Sequence, residues 1–250
     1  MVESVPAPDS LPAAPRVAVI VPAYGVAHLV GEALASVQAQ TFADWECVVV
    51  DDGAPDDVAG AVAPFLSDRR IRFLKTDNGG VSVARNRAIA SCSAPLLTLL
   101  DGDDLLRPEY LATMVPLMEA DPGITIATCN ARIFGAVASE RFCFDGPQPA
   151  GTLRNAFDRS FGIYIGSTFR RTDWERAGGF DPAFGVCEDF EMWIRLLMLG
   201  GRAYYVDQVL GEYRVRAGSA SADAGRMLLG NLKVYEKAAR NLPADAPEQT

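Results

Sequence analysis

Leu96-Leu97-Thr98-Leu99-Leu100-Asp101-Gly102-Asp103-Asp104 passes without a break from an apolar run into three carboxylates. A run of this kind reads as a buried strand of a parallel sheet. Such sheets bind ligands at the carboxyl ends of their strands, which is where these acids stand. Left alone, the carboxylates repel one another and resist burial. A hard divalent cation shared with phosphate oxygens removes the conflict, and Mg²⁺ typically uses one or two carboxylates plus substrate phosphates. The plainer alternative is a solvated acidic loop, because Pro108-Glu109 just downstream reads as a helix start.

Working outward, the first 110 residues alternate strand and helix. Val17-Ala-Val-Ile-Val21 is a β-type run ending in Pro22-Ala23-Tyr24-Gly25. Val26 to Gln40 carries apolar residues at helical spacing, and Cys47-Val-Val-Val50 is a second strand leading into Asp51-Asp52-Gly53. A helix marked by Val58, Val62, Phe65 and Leu66 follows, then a strand at Ile71–Leu74 and a helix opened by Asn78-Gly79-Gly80. This repetition predicts a doubly wound, mostly parallel α/β sheet. Beyond residue 120 the pattern becomes mixed and partly antiparallel. Strand-like runs occur at Ile124–Cys129, Arg141–Phe144, Ile165–Phe169 and Ala203–Val206, with helices at Glu188–Leu199 and Ala224–Leu242. The expected organisation is a disordered leader (1–15), one domain (16–242) and a polar tail (243–250). Within the domain, 16–110 form a nucleotide-binding half, 111–222 an acceptor half and 223–242 a C-terminal helix.

Composition narrows the function classes. The 250 residues carry a net charge of −9, with 49% hydrophobic and 22% charged residues, as in ordinary globular proteins. The acidic balance argues against a nucleic-acid partner and against broad attraction to anionic lipid. No apolar stretch approaches the ~18–20 residues of a membrane span. Cys47, Cys92, Cys129, Cys143 and Cys187 are odd in number, lie at no metal-ligand spacing and read as reduced, mostly buried thiols of a cytoplasmic protein. His28 is the only histidine and falls in a helical pattern, so His-based triads and zinc sites have little support.

In a parallel sheet the strand exits share one edge. There Tyr24 offers a ring for a base, and Asp52 can accept from a base N–H. Gly79 and Gly80 permit close backbone approach to a ligand, and Arg85 is within reach of a base or phosphate. Together these suit a nucleoside diphosphate with its metal. No G-x-G-x-x-G follows the first strand and no G-x-x-x-x-G-K-[ST] occurs, so dinucleotide oxidoreductases and P-loop NTPases fall away.

Val17–Tyr24, Gln40-Thr41-Phe42, Val48–Gly53, Asn78–Val81 and Ala84-Arg85-Asn86 resemble, in order and spacing, the blocks of family 2 glycosyltransferases with the GT-A fold. So do Leu100–Asp104, Gly178-Gly179-Phe180-Asp181, Glu188-Asp189-Phe-Glu-Met-Trp193 and Tyr213-Arg214, and the set spans about residues 16 to 216. The resemblance implies an inverting transferase that takes a sugar from a nucleotide-sugar, with uracil the favoured base, using Mn²⁺ or Mg²⁺. It assigns Asp52 to the base, with Pro22, Ala23 and Tyr24 around the nucleoside. Asp101, Gly102 and Asp103 fall at the diphosphate, Asp103 holding the metal with Asp101 assisting. Asp189 becomes the general base, supported by Glu188. Trp193, four residues on and on the same helix face, is a candidate either for stacking on sugar or for the core.

Two positions depart from the family pattern. Arg216 stands where many relatives have a histidine after Tyr-Arg; it cannot ligate metal but, with Arg214, can bind phosphate oxygens. Gly25 replaces the usual asparagine after the tyrosine. The expected activity is therefore sugar transfer to a carbohydrate, lipid-linked or small-molecule hydroxyl in polysaccharide, glycolipid or other glycoconjugate synthesis. It would take place in the cytoplasm or at the inner face of the membrane, with no membrane-spanning segment and no nucleic acid involved. The alternative is a catalytically weak sugar-nucleotide-binding module of a longer protein.

Overall fold

Both faces of the central sheet are buried, which is why its strands carry unbroken apolar runs. In β1 (Val17–Ala23), Val17, Val19 and Val21 enter one core while Ala18 and Ile20 enter the other. The computed structural model describes residues 14–137, 139, 141–216, 219 and 223–242. The expected leader before residue 14 and the polar tail lie outside them. After β1 come α1 (Val30–Gln38), β2 (Trp45–Asp52), α2 (Val58–Val62), a 3-10 turn, β3 (Ile71–Thr76), α3 (Val81–Ser91) and β4 (Leu96–Leu99). The second half adds β5 (Leu105–Leu106), α4 (Tyr110–Ala120), β6 (Ile124–Gly135), β7 (Arg141–Phe142), α5 (Leu153–Phe157) and β8 (Thr168–Arg170). It closes with α6 (Arg171–Ala177), α7 (Glu188–Met198), β9 (Arg202–Val215) and α8 (Ala224–Asn241).

The sheet runs β3-β2-β1-β4-β8-β6-β9-β5, with β7 attached to β6. Strands β1 to β4 pair in parallel, and β8 then joins β4 and β6 antiparallel. The expected α/β sheet with a mixed second half is thus observed. Helices α1 and α4 cover one face; α3, α7 and α8 cover the other. No helix among the described residues is long and apolar enough to cross a membrane. All five cysteines are free, and Cys47, Cys129 and Cys187 are buried.

Several elements differ from expectation. Helix α1 begins at Val30 rather than Val26, because the Ala27 N–H donates to Asp56 and the chain turns through 27–29. His28 stands exposed in that turn. Strand β9 extends well past Val206, paired with β6 through irregular register. The strand expected at Ile165–Phe169 starts only at Thr168, because the backbone before it turns: the Tyr164 N–H and the Ser167 hydroxyl both engage Thr128.

Candidate active site at the carboxyl edge of the sheet

The exits of β1, β2 and β4 open into a cavity of about 400 Å³ whose far wall comes from the loop before α7, the end of β9 and the start of α8. Pro22, Ala23, Tyr24, Asp52, Arg85, Asp101, Gly102, Asp103, Glu188, Asp189, Arg214 and Arg216 all line it, so most sequence-selected residues meet in one place. Tyr24 is half exposed there, its ring available for stacking. Gly102 is required by packing: a Cβ would lie 3.0 Å from Val26 and 3.1 Å from the Pro22 carbonyl.

Gly79 and Gly80 are not in the lining. Their N–H groups donate to the two oxygens of Asp52, at 2.9 and 2.8 Å. The nearly buried Asp52 therefore holds the 78–80 loop against the exit of β2, and each of its oxygens keeps a further lone pair. The loops are closely apposed: Gly53 has φ +65°, and a Cβ there would sit 2.7 Å from the Asn78 nitrogen.

Arg85 is also placed differently from expectation. Helix α3 points it inward until it is 1% exposed, and its terminal nitrogens donate to Asp101 and Glu188, each at 2.7 Å. Burial alone would lower its pKa, but these two carboxylates outweigh that and raise it. With both arms engaged, Arg85 is a strut between the β4 exit and α7 rather than a free phosphate ligand. Its Nε is buried without a partner.

The acids of α7 sit at the helix N-terminus, where the dipole favours negative charge. Their approach is unusual: Cys187, just before Glu188, adopts left-handed φ 58°, a costly conformation for a residue with a Cβ. The preceding loop is fastened to α3, where Asn86 exchanges two hydrogen bonds with the Phe180 backbone and Ser82 donates to the Phe184 carbonyl. From α8, Lys237 pairs with Asp181 and Glu191. Asp189 is thereby fixed at the cavity wall. Its carboxyl is pushed up to about 6 by burial and by Glu188, against the opposing pull of Arg85.

On the other side, Arg216 pairs with Asp103, and Arg214 donates to the Asp103 carbonyl, to Asp104 through its backbone N–H and to Glu32. Burial and Asp101 raise the Asp103 carboxyl despite Arg216. Asp104 is raised well above the usual range by burial and by both neighbouring acids, and one of its oxygens is buried without a partner. The cluster is therefore short of positive charge. Arginines account for one oxygen each of Asp101 and Asp103, and no group of three or more metal-type ligands occurs among the described residues. This donor set fits a divalent ion of the kind that takes two carboxylates and draws its other ligands from a bound diphosphate.

Trp193 is not in the cavity. It is buried in the core, edge-on to Phe169 at 5.3 Å between ring centroids, which excludes sugar stacking. Conversely, Val186, Met227 and the left-handed Cys187 line the site without having been singled out. Nothing local in the sequence marks them: Val186 and Cys187 come with the loop before α7, and Met227 comes from α8, which packs against that loop.

The chain matches the model for glycosyl transferase family 2 over residues 18–173. Succinoglycan biosynthesis protein ExoO of Rhizobium meliloti is 32% identical over 228 residues, which is 86% of this chain and 65% of that protein. The chain spans less than two thirds of the length of several curated relatives, 23% of Sinorhizobium fredii y4gI and 14% of Streptococcus pneumoniae GlyA among them, and 89% of Bacillus subtilis TuaG. Among solved structures, Staphylococcus aureus TarS 1–349 in complex with UDP-GlcNAc superposes with a TM-score of 0.77 at 20% identity, covering 93% of this chain and 68% of that one. Mannosyltransferase PcManGT from Pyrobaculum calidifontis, in complex with GDP-Man and Mn²⁺, gives 0.73 at 23% identity, covering 95% and 67%. At these identities the likeness is one of fold, and it is the GT-A fold expected above.

Proposed function

This chain belongs to glycosyl transferase family 2, and on that footing we propose that it transfers a sugar from a nucleotide-sugar, a UDP-sugar by preference, to an acceptor hydroxyl with inversion at the anomeric carbon. The product would be part of a polysaccharide or other glycoconjugate, the kind of pathway named for ExoO. The observation that carries this reading is the Arg85 strut, which ties a carboxylate of the β4 exit and one of α7 to a single guanidinium in the lining of one cavity.

Tyr24 and Asp52 would hold the base, the ring by stacking and the carboxylate by accepting from a base N–H. The diphosphate would lie toward Asp101, Asp103, Arg214 and Arg216. Asp103 with Asp101 would hold Mn²⁺ or Mg²⁺, which when bound neutralises charge on the leaving diphosphate. Arg216 can donate to the same oxygens in a bidentate manner. On the opposite face of the sugar, Asp189 takes the proton of the acceptor hydroxyl as its oxygen bonds to the anomeric carbon. The bond from that carbon to the diphosphate oxygen breaks with its electron pair leaving on the diphosphate. Glu188 is held by Arg85 and fixes the start of α7 beneath the base.

The test is calorimetric titration with UDP and GDP, with and without Mn²⁺, followed by assay of nucleotide release from UDP-sugars and GDP-mannose. Metal-stimulated UDP binding, lost in Asp103→Ala, and slow donor hydrolysis are expected. UDP binding without any hydrolysis or transfer would instead leave a binding module. Binding of GDP with no response to UDP overturns the choice of base.

A further inference from the structure

A second cavity of about 380 Å³ lies behind the first and shares Cys187, Asp189 and Met227 with it. Asp189, the base in the reading above, thus stands at the junction of two spaces. One is edged by donor-type groups, and the other has none of them. The second is walled by Phe190 of α7, Leu228, Asn231 and Tyr235 of α8, and Arg159 from the turn after α5.

Arg159 is held unusually well for an exposed side chain. Its backbone is left-handed, φ 63°, and its guanidinium lies 3.5 Å over the Phe190 ring. Nε donates to the Tyr235 hydroxyl and Nη2 to the Asn231 side-chain carbonyl. Tyr235 is itself fixed, donating to the Phe157 carbonyl at 2.8 Å and packing edge-on to Phe190. Arg85, Arg214 and Arg216 all face carboxylates, whereas Arg159 pairs with no acid among the described residues. Nε and Nη2 are engaged by neutral partners, no acid lies within ion-pair distance and Nη1 makes no bond among the described residues, so a pre-ordered charged donor is left for an anion. Leu228, 70% exposed, supplies the apolar wall that a sugar ring's C–H face requires.

We propose that this second cavity is the acceptor subsite and that Arg159 selects acceptor sugars bearing an anionic group, a carboxylate or a phosphate, close to the hydroxyl that reaches Asp189. This rests on the transferase reading of the same site. Arg159 is a specificity-determining residue here, since it touches the acceptor but not the reacting atoms.

The probes are methyl β-glucuronide, glucose 6-phosphate and neutral methyl β-glucoside, each titrated by saturation-transfer NMR against the UDP-loaded protein. At least one charged sugar should bind about tenfold or more tightly than the neutral one. Which of the two does so identifies carboxylate or phosphate. Arg159→Ala should abolish the preference while UDP affinity stays unchanged, and Arg159→Lys, which keeps the charge, should recover part of it. Equal binding of charged and neutral sugars, no binding of either charged sugar, or a preference that survives Arg159→Ala overturns the proposal. Loss of UDP binding by the unmodified protein would instead strike at the transferase reading, so the two failures are distinguishable.

Discussion

Asp189 gains its chemistry from burial. A carboxyl pushed up to about 6 is a stronger proton acceptor than an ordinary one, yet it is still ionised at neutral pH. Transfer should therefore fall about tenfold per pH unit below about 6 and level off above it. Asp189→Asn should remove that limb and lower turnover by roughly 10²–10⁴ with UDP affinity within a few-fold; initial rates across pH beside UDP titration decide it. Stability runs the other way. Because the folded pKa lies above the ordinary 3.8, the native state holds this proton more tightly than the unfolded chain does. Stability from this group is thus present at low pH and lost as pH rises from about 4 to about 6. Asp189→Asn should accordingly melt no lower than wild type at pH 7. That acids stand at the start of this helix, on the edge where the strand exits meet, was legible in the sequence. That Arg85 props it through Glu188 was not, since the pair is 103 residues apart and no local pattern encodes it.

Helix α8 reaches the site only because Gly230 lets it. A Cβ at that position would stand 2.8 Å from Val186 and 2.9 Å from the Cys187 sulfur. Gly230→Ala improves helix propensity by roughly 1 kcal/mol but forces α8 away from the loop that carries Glu188 and Asp189. Overpacking of this kind costs about 1–3 kcal/mol, so net destabilisation is expected, together with a drop in transfer larger than any drop in UDP binding. Urea unfolding and the two assays check it. The amphipathic pattern of α8 and the apolar strands β1, β2 and β4 were readable because burial sets their periodicity. Strand β5, only Leu105–Leu106, was not, because two residues carry no period and its existence depends on Gly211 and Glu212 arriving from β9. The length of β9 was underestimated for a related reason: irregular register against β6 breaks the alternation on which such a reading relies.

Over the whole molecule, nucleotide binding should register as stability. The cavity joins β1, β2 and β4 to α7 and β9, so a ligand there restrains both halves. UDP with Mn²⁺ at about a hundred times its dissociation constant should contribute about 2.7 kcal/mol, or roughly 5–10 °C in melting temperature for a chain of this size. Differential scanning calorimetry with UDP alone, Mn²⁺ alone and both measures it, and only the pair should give the full shift. The first half of the fold was legible throughout because each strand is followed at once by its own helix. The second half was legible only in outline, because its partners are distant in the chain. That same distance has a consequence during biosynthesis. Asp103 leaves the ribosome 113 residues ahead of Arg216, which pairs with it. At translation rates of about 5–20 residues per second, the acidic exit of β4 waits roughly 5–20 s for Arg214 and Arg216, with Arg85 alone already made. The nascent chain can assemble β1 to β4 in that interval, with Asp101 already beside Arg85, while Asp103 and Asp104 stay in water until the last strand is made. Neutralisation of that acidic exit is in this sense a timed event, reached with β9 and not before.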